Sequence, residues 1–121
     1  MAKVLGLGGL FYKVPDPSAT RAWYQAMLGV GGEWGAMFAY QNDRSDGFSL
    51  LSPFAIDSDY FAPSAASFMI NLRIDDLDAM IADLTAKGVP IIGRQDDENG
   101  QFAWILDPDG IKLELYQQPS V

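Results

Sequence analysis

The chain contains no cysteine and no histidine. Without Cys there is no disulfide framework, no thiol nucleophile and no thiolate metal site. Without His, the commonest metal ligand and the commonest general base near neutral pH are both missing. Basic residues are scarce as well: 8 Lys and Arg stand against 16 Asp and Glu, a formal charge of −8 over 121 residues. Nucleic acid and anionic membrane surfaces are gripped by clustered Lys and Arg, so neither is an expected partner. No apolar run approaches the roughly 18 residues a membrane helix needs. Val4–Leu10 is short and broken by glycine, so no secretory leader is expected and the cytoplasm is the default location. Any chemistry must use carboxylates, Tyr, Lys, backbone groups or a borrowed cofactor.

The composition that remains is 49% hydrophobic and 20% charged, which suits a globular domain able to bury a core without staples. Its most informative stretch is Gln101–Tyr116, QFAWILDPDGIKLELY. Phe102, Trp104 and Leu106 alternate with Ala103 and Ile105. Beyond the turn, Ile111, Leu113 and Leu115 alternate with Lys112, Glu114 and Tyr116. Asp107-Pro108-Asp109-Gly110 between them has turn chemistry: Pro presets φ, Asp can bond its own backbone, and Gly accepts φ > 0. Alternation on both sides of a turn predicts a hairpin. One face of its second strand is aliphatic; the other carries a carboxylate and a phenol.

Upstream, Lys3–Val14 reads as a strand, with Gly9, Phe11 and Lys13 on its polar-side parity. Asp16–Leu28 reads as a helix with Asp16 as N-cap, Pro17 at its first position and Gly29 beyond its end. Gly31–Gln41 and Phe48–Pro53 read as two further strands around a polar turn. Residues 54–66 read as a linker whose Phe54, Ile56, Tyr60 and Phe61 should hold it down as a flap. Ser67–Ile74 alternates as a strand. Asp75–Lys87 follows as a helix with Asp75 as cap, Leu77, Met80, Ile81 and Leu84 as its apolar stripe, and Gly88 as its stop. Val89–Arg94 is the strand expected before the hairpin.

Two passages can be laid over each other: KVPDPSATRAWYQAMLGV from Lys13 and RIDDLDAMIADLTAKGVP from Arg73. Each runs from a strand end through an Asp-started helix to Gly-Val, and they differ by one residue of helix. The implied unit is βαβββ used twice, with repeat one at about 3–53, a linker at about 54–66 and repeat two at about 67–118. The expected fold is α+β, two such modules forming a curved mixed-sheet cup with the helices outside, all in one domain.

Val14-Pro15-Asp16, the Trp23-Tyr24 to Leu28-Gly29 helix, Leu72-Arg73-Ile74-Asp75 and above all Leu106-Asp107-Pro108-Asp109-Gly110-Ile111-Lys112-Leu113-Glu114 resemble the vicinal oxygen chelate superfamily, the glyoxalase/bleomycin resistance/dioxygenase fold. The resemblance covers nearly the whole chain. It implies a homodimer and, in metal-dependent members, ligands on four strands of the cup. The positions so implied are Gly9, the neighbourhood of Leu50 to Ser52, Met69 and Glu114. Only Glu114 carries a suitable donor, so no metal and no cofactor are expected. The resemblance to bleomycin-resistance proteins implies a metal-free protein that holds a small molecule in an aromatic-lined cup. The alternative is a metal-dependent lyase, isomerase or dioxygenase in which Glu114 is one ligand and Asn71, Ser52 or Tyr116 helps to complete the set.

Parity supplies the candidate site independently. Asn71 and Arg73 share a face with Lys112, Glu114 and Tyr116, opposite the aliphatic side that must meet the helices. The candidate ligand-binding residues are Glu114, Asn71, Arg73 and Tyr116, with Trp34, Phe38, Phe102 and Trp104 as walls. Glu114 has a plainer reading, as a salt-bridge partner of Arg73, Lys13 or Lys112.

Overall fold

The structure is a computed structural model, and residues 1–120 are described. The protein is α+β. Helix α1 (Pro17–Leu28) is followed by strand β1 (Ile70–Arg73), helix α2 (Leu77–Ala86), and strands β2 (Gly93–Asp97), β3 (Gly100–Leu106) and β4 (Lys112–Gln117). The strands form one mixed sheet in the order β1-β4-β3-β2. β4 pairs parallel with β1 and antiparallel with β3, and β3 pairs antiparallel with β2.

The helix boundaries follow from their caps. Asp16 accepts from the Ala19 N–H at 3.1 Å, Pro17 opens α1, and Gly29 closes it at φ 69°. In α2 the cap is Asp76 rather than Asp75: its extended backbone lets its carboxylate accept from the Ala79 N–H at 3.0 Å. Val89–Arg94 proves to be mostly approach. Val89 is buried, Pro90 has no N–H to give a ladder, and pairing with β3 begins at Gly93.

One face of the sheet is aliphatic and meets the helices. Ala103, Ile105, Leu113 and Leu115 are fully buried with Leu77 and Leu84 of α2, and Trp23, Tyr24, Met27 and Leu28 of α1 pack against them. Burying one such Leu contributes about 2 kcal/mol.

The hairpin turn joins α1 to this core. The Asp107 carboxylate accepts from the backbone N–H groups of Asp109 (2.9 Å) and Ile111 (3.0 Å) and from the Tyr24 hydroxyl (2.7 Å). The Thr20 hydroxyl donates to Asp109 at 2.6 Å. Gly110 sits at φ 77°, where a side chain would be strained. The DPDG turn is therefore also a dock for the first helix.

The N-terminal half departs from expectation. Lys3–Val14, Gly31–Gln41 and Phe48–Pro53 form no strand; the sole regular element there besides α1 is a short 3-10 turn, Tyr40–Asn42. A strand persists by hydrogen-bonding to a neighbouring strand, and these segments, the first two of them Gly-rich, make no ladder with each other or with the sheet. Their apolar side chains stay in the open: Phe11, Trp34, Met37 and Leu51 are each more than four-fifths exposed.

Replacing Asp107 with Ala strands two backbone donors and a phenol. It is expected to lower stability by roughly 2–4 kcal/mol in urea unfolding, against about 1 kcal/mol for Tyr24→Phe.

Candidate functional site

The opposite face of the sheet is polar and aromatic, and the register sets its rungs. Asn71, Glu114 and Trp104 lie side by side across β1, β4 and β3; Arg73, Tyr116 and Phe102 form the next rung. Phe102 is the centre of an aromatic platform, stacked on Tyr116 at 4.9 Å between ring centroids and on Trp104 at 6.4 Å, with planes only 10° apart. Glycines make the platform flat. A Cβ at Gly93 would meet the Trp104 ring at 3.1 Å, and one at Gly100 would meet Tyr116 at 2.7 Å.

Glu114 is buried, with 7% of its surface exposed, and every donor it takes comes from the protein. It accepts from the Trp104 indole N–H at 2.8 Å, the Asn71 amide at 2.8 Å and the Tyr60 hydroxyl at 2.5 Å. Tyr60 belongs to the 54–66 segment, which packs down as a flap. Burial and the hydrogen bond to Glu114 both push the Tyr60 phenol above its ordinary pKa, so it stays a neutral donor. Lys112 closes the group: its ammonium donates to the Tyr60 carbonyl at 2.7 Å and lies 5.2 Å and 5.3 Å from the ring centres of Tyr60 and Trp104.

The second rung is held differently. Arg73 makes a two-pronged ion pair with Asp43 and donates to Gln118 at 3.0 Å, which clamps the 43–47 turn to the end of β4. The Arg73 bond holds the Asp43 carboxyl below the usual aspartate range. The Tyr116 hydroxyl donates to the Asn99 carbonyl at 2.8 Å. An open cleft runs between the N-terminal segments and the rest of the chain, from α1 round to this face, and Asn71, Arg73, Phe102, Glu114, Tyr116, Trp34 and Phe38 border it.

The profile of the Glyoxalase/Bleomycin resistance protein/Dioxygenase superfamily matches residues 6–115. The chain belongs to that superfamily. No curated protein matches it. Among solved structures, it is 38% identical to an antibiotic binding protein, TnmS3 from Streptomyces sp. CB03234, over 41% of each chain, with a TM-score of 0.39. That match spans about two-fifths of the length of the Streptomyces protein. The chain is 18% identical to a protein from the mobile metagenome of V. Pseudocholerae over 99% of each chain, with a TM-score of 0.62. An integron cassette protein of V. cholerae aligns over 97% of this chain and 98% of its own at 17% identity and a TM-score of 0.61. The last two likenesses concern the fold.

The metal ligands that the superfamily resemblance implies do not fit the residues present. Gly9 has no donor atom, Met69 offers only a thioether, and Glu114 is already shared among three protein donors. Among the described residues, no group of three Asp, Glu, His or Cys side chains gathers in a way that could hold a metal ion.

Six of the sequence candidates converge on the polar face: Glu114, Asn71, Arg73, Phe102, Trp104 and Tyr116. Trp34 and Phe38 lie on the far wall of the cleft, 93% and 61% exposed. Trp104 lies beneath Tyr60 and Lys112 rather than on the open wall. Glu114 pairs with none of Arg73, Lys13 or Lys112; Arg73 pairs with Asp43. Tyr60 was visible in the sequence as a flap aromatic, but nothing local linked it to Glu114.

Replacing Glu114 with Ala leaves the Trp104, Asn71 and Tyr60 donors without their acceptor. Stability should fall by roughly 1–3 kcal/mol in urea unfolding. A variant as stable as the wild type would mean the carboxylate is not committed to these bonds.

Proposed function

We propose that the protein is a metal-free small-molecule-binding member of its superfamily, with an aromatic or amphipathic ligand held in the cleft against the Phe102 and Tyr116 rings. The observation that carries this reading is the state of Glu114. A buried carboxylate whose oxygens already accept three protein hydrogen bonds is a poor nucleus for a metal centre, whereas the stacked rings beside it offer a planar apolar surface. A concave site lined by aromatics with a few fixed polar groups is the usual composition of a ligand pocket. Asn71 and Arg73 would orient the ligand from the β1 side, and Trp34 and Phe38 would close on it from the far wall. Superfamily membership agrees with a small-molecule role without naming the molecule.

The same reading includes a cytoplasmic homodimer. Val4, Leu5, Phe11, Trp34, Met37, Leu51 and Ile56 are all more than four-fifths exposed and lie in the half of the chain that has no sheet of its own. A second copy covering these side chains would bury the apolar surface that one chain leaves wet. Sedimentation at micromolar concentration should give twice the chain mass of 13.2 kDa, and a monomer would remove this part of the proposal.

The ligand site itself is tested with 2-naphthol, a neutral planar probe, by equilibrium dialysis. Wild-type protein should retain it, and Phe102→Ala should weaken retention at least tenfold with an unchanged far-ultraviolet circular dichroism spectrum, since removing the central ring takes both stacking partners out of register. Equal retention by the two proteins would place the probe, and the site, elsewhere.

A further inference from the structure

Tyr60 is the one side chain of the flap that reaches the floor of the polar face by a hydrogen bond, among the described residues. The flap is otherwise built of turns bonded within themselves: Ser58 to Ala55, Ala62 to Asp59 and Ser64 to Phe61. Phe54 and Phe61 cluster with each other at 5.1 Å, and Tyr60 leans on Phe54 at 5.5 Å. The Tyr60 ring meets Trp104 edge-on at 6.2 Å, its hydroxyl lies 2.5 Å from Glu114, and Lys112 holds its carbonyl. Trp104 and Lys112 are thereby withdrawn from the cleft that Phe102, Glu114 and Tyr116 still line.

We propose that Tyr60 is an internal ligand: its phenol fills an inner subsite formed by Trp104, Glu114 and Lys112, and a hydroxyaryl group of the true ligand takes its place when the flap lifts. This rests on the small-molecule reading above and adds the chemical class of the ligand. Three features of the subsite select that class. The Trp104 ring edge and face suit an aryl ring. The Glu114 oxygen that Tyr60 releases must receive another donor, because an uncompensated buried carboxylate is costly. That oxygen also keeps the Trp104 N–H, so it has room for one further donor, such as an O–H, and the Lys112 ammonium, 5.2 Å from the Tyr60 ring centre, favours a polarisable ring over a second cation. An aryl group with no donor would leave the carboxylate short of a bond. Exchange of the Tyr60 phenol for the ligand's phenol replaces like with like, so the net gain comes from the remainder of the ligand on the Phe102 and Tyr116 rings. The device also keeps the carboxylate satisfied in the ligand-free protein.

The test uses p-cresol, the Tyr side chain as a free molecule, and toluene, the same ring without the hydroxyl. Binding is followed by the indole N–H resonance of Trp104 in ¹⁵N-labelled wild-type, Tyr60→Ala and Tyr60→Phe proteins. Tyr60→Ala should bind p-cresol at least tenfold more tightly than wild type does, and should prefer p-cresol to toluene at least tenfold. Tyr60→Phe, which keeps the ring, should leave the flap amides of residues 54–66 exchanging with solvent at least tenfold faster than in wild type, a readout that survives if the Ala variant does not fold. Equal p-cresol affinity in wild type and Tyr60→Ala would overturn the inference while 2-naphthol retention still upheld the cleft. Equal affinity of Tyr60→Ala for p-cresol and toluene would overturn the assignment of ligand class. Loss of 2-naphthol and p-cresol binding together would overturn both readings.

Discussion

A buried carboxylate has to be answered by donors, and on the polar face of this sheet the answer shapes everything near it. Glu114 sits on β4, which is flanked by a strand on each side, so its neighbours on β1 and β3 are set by register: Asn71 on one side, Trp104 on the other. Both aim an N–H at it. The Asn71 bond holds the carboxylate and the Trp104 bond holds the indole edge against it. The fixed indole lets Phe102 stack parallel to it, and Phe102 in turn carries Tyr116. The third donor comes from outside the sheet, and in reaching Glu114 Tyr60 brings the flap down with it. A metal centre would need the same oxygens free. Desolvation makes those hydrogen bonds expensive to give up, so the aromatic platform and an open metal site are competing uses of one side chain.

The other organising carboxylate is Asp107. It closes the turn from within and binds Tyr24 from without, so the tightest hairpin of the chain also positions α1. The two faces of the sheet are thus tied by acids from one hairpin: Asp107 holds a helix on the aliphatic side and Glu114 holds the flap on the polar side. The Arg73–Asp43 pair adds a separate clamp at the far rung.

The C-terminal half was legible in the sequence because its signals are local and agree with one another. DPDG between two alternating runs marks the hairpin, Asp before and Gly after an apolar stripe marks each helix, and parity alone puts Asn71, Arg73, Glu114 and Tyr116 on one side. The N-terminal half offered the same alternation in Lys3–Val14, yet no strand forms there. Alternation says which side chains would share a face; it does not supply the neighbouring edge that a strand needs, and the glycines lower the reward for forming one. The Tyr60–Glu114 bond was beyond reach for another reason. It joins residues 54 apart, and neither the turns of the flap nor the period of β4 contains the distance between them. Register reveals neighbours within a sheet, whereas a flap crossing over it is decided by tertiary packing alone.

The central claim is that Glu114 is committed to Trp104, Asn71 and Tyr60 and is not the remnant of a metal site. It is tested most directly by incubating the purified protein separately with Zn, Ni, Mn and Fe(II), desalting, and measuring bound metal by mass spectrometry. The account predicts no metal retained above the level of a Glu114→Ala control. Near-stoichiometric metal in the wild type, lost in that control, would contradict it and place the carboxylate in a metal centre.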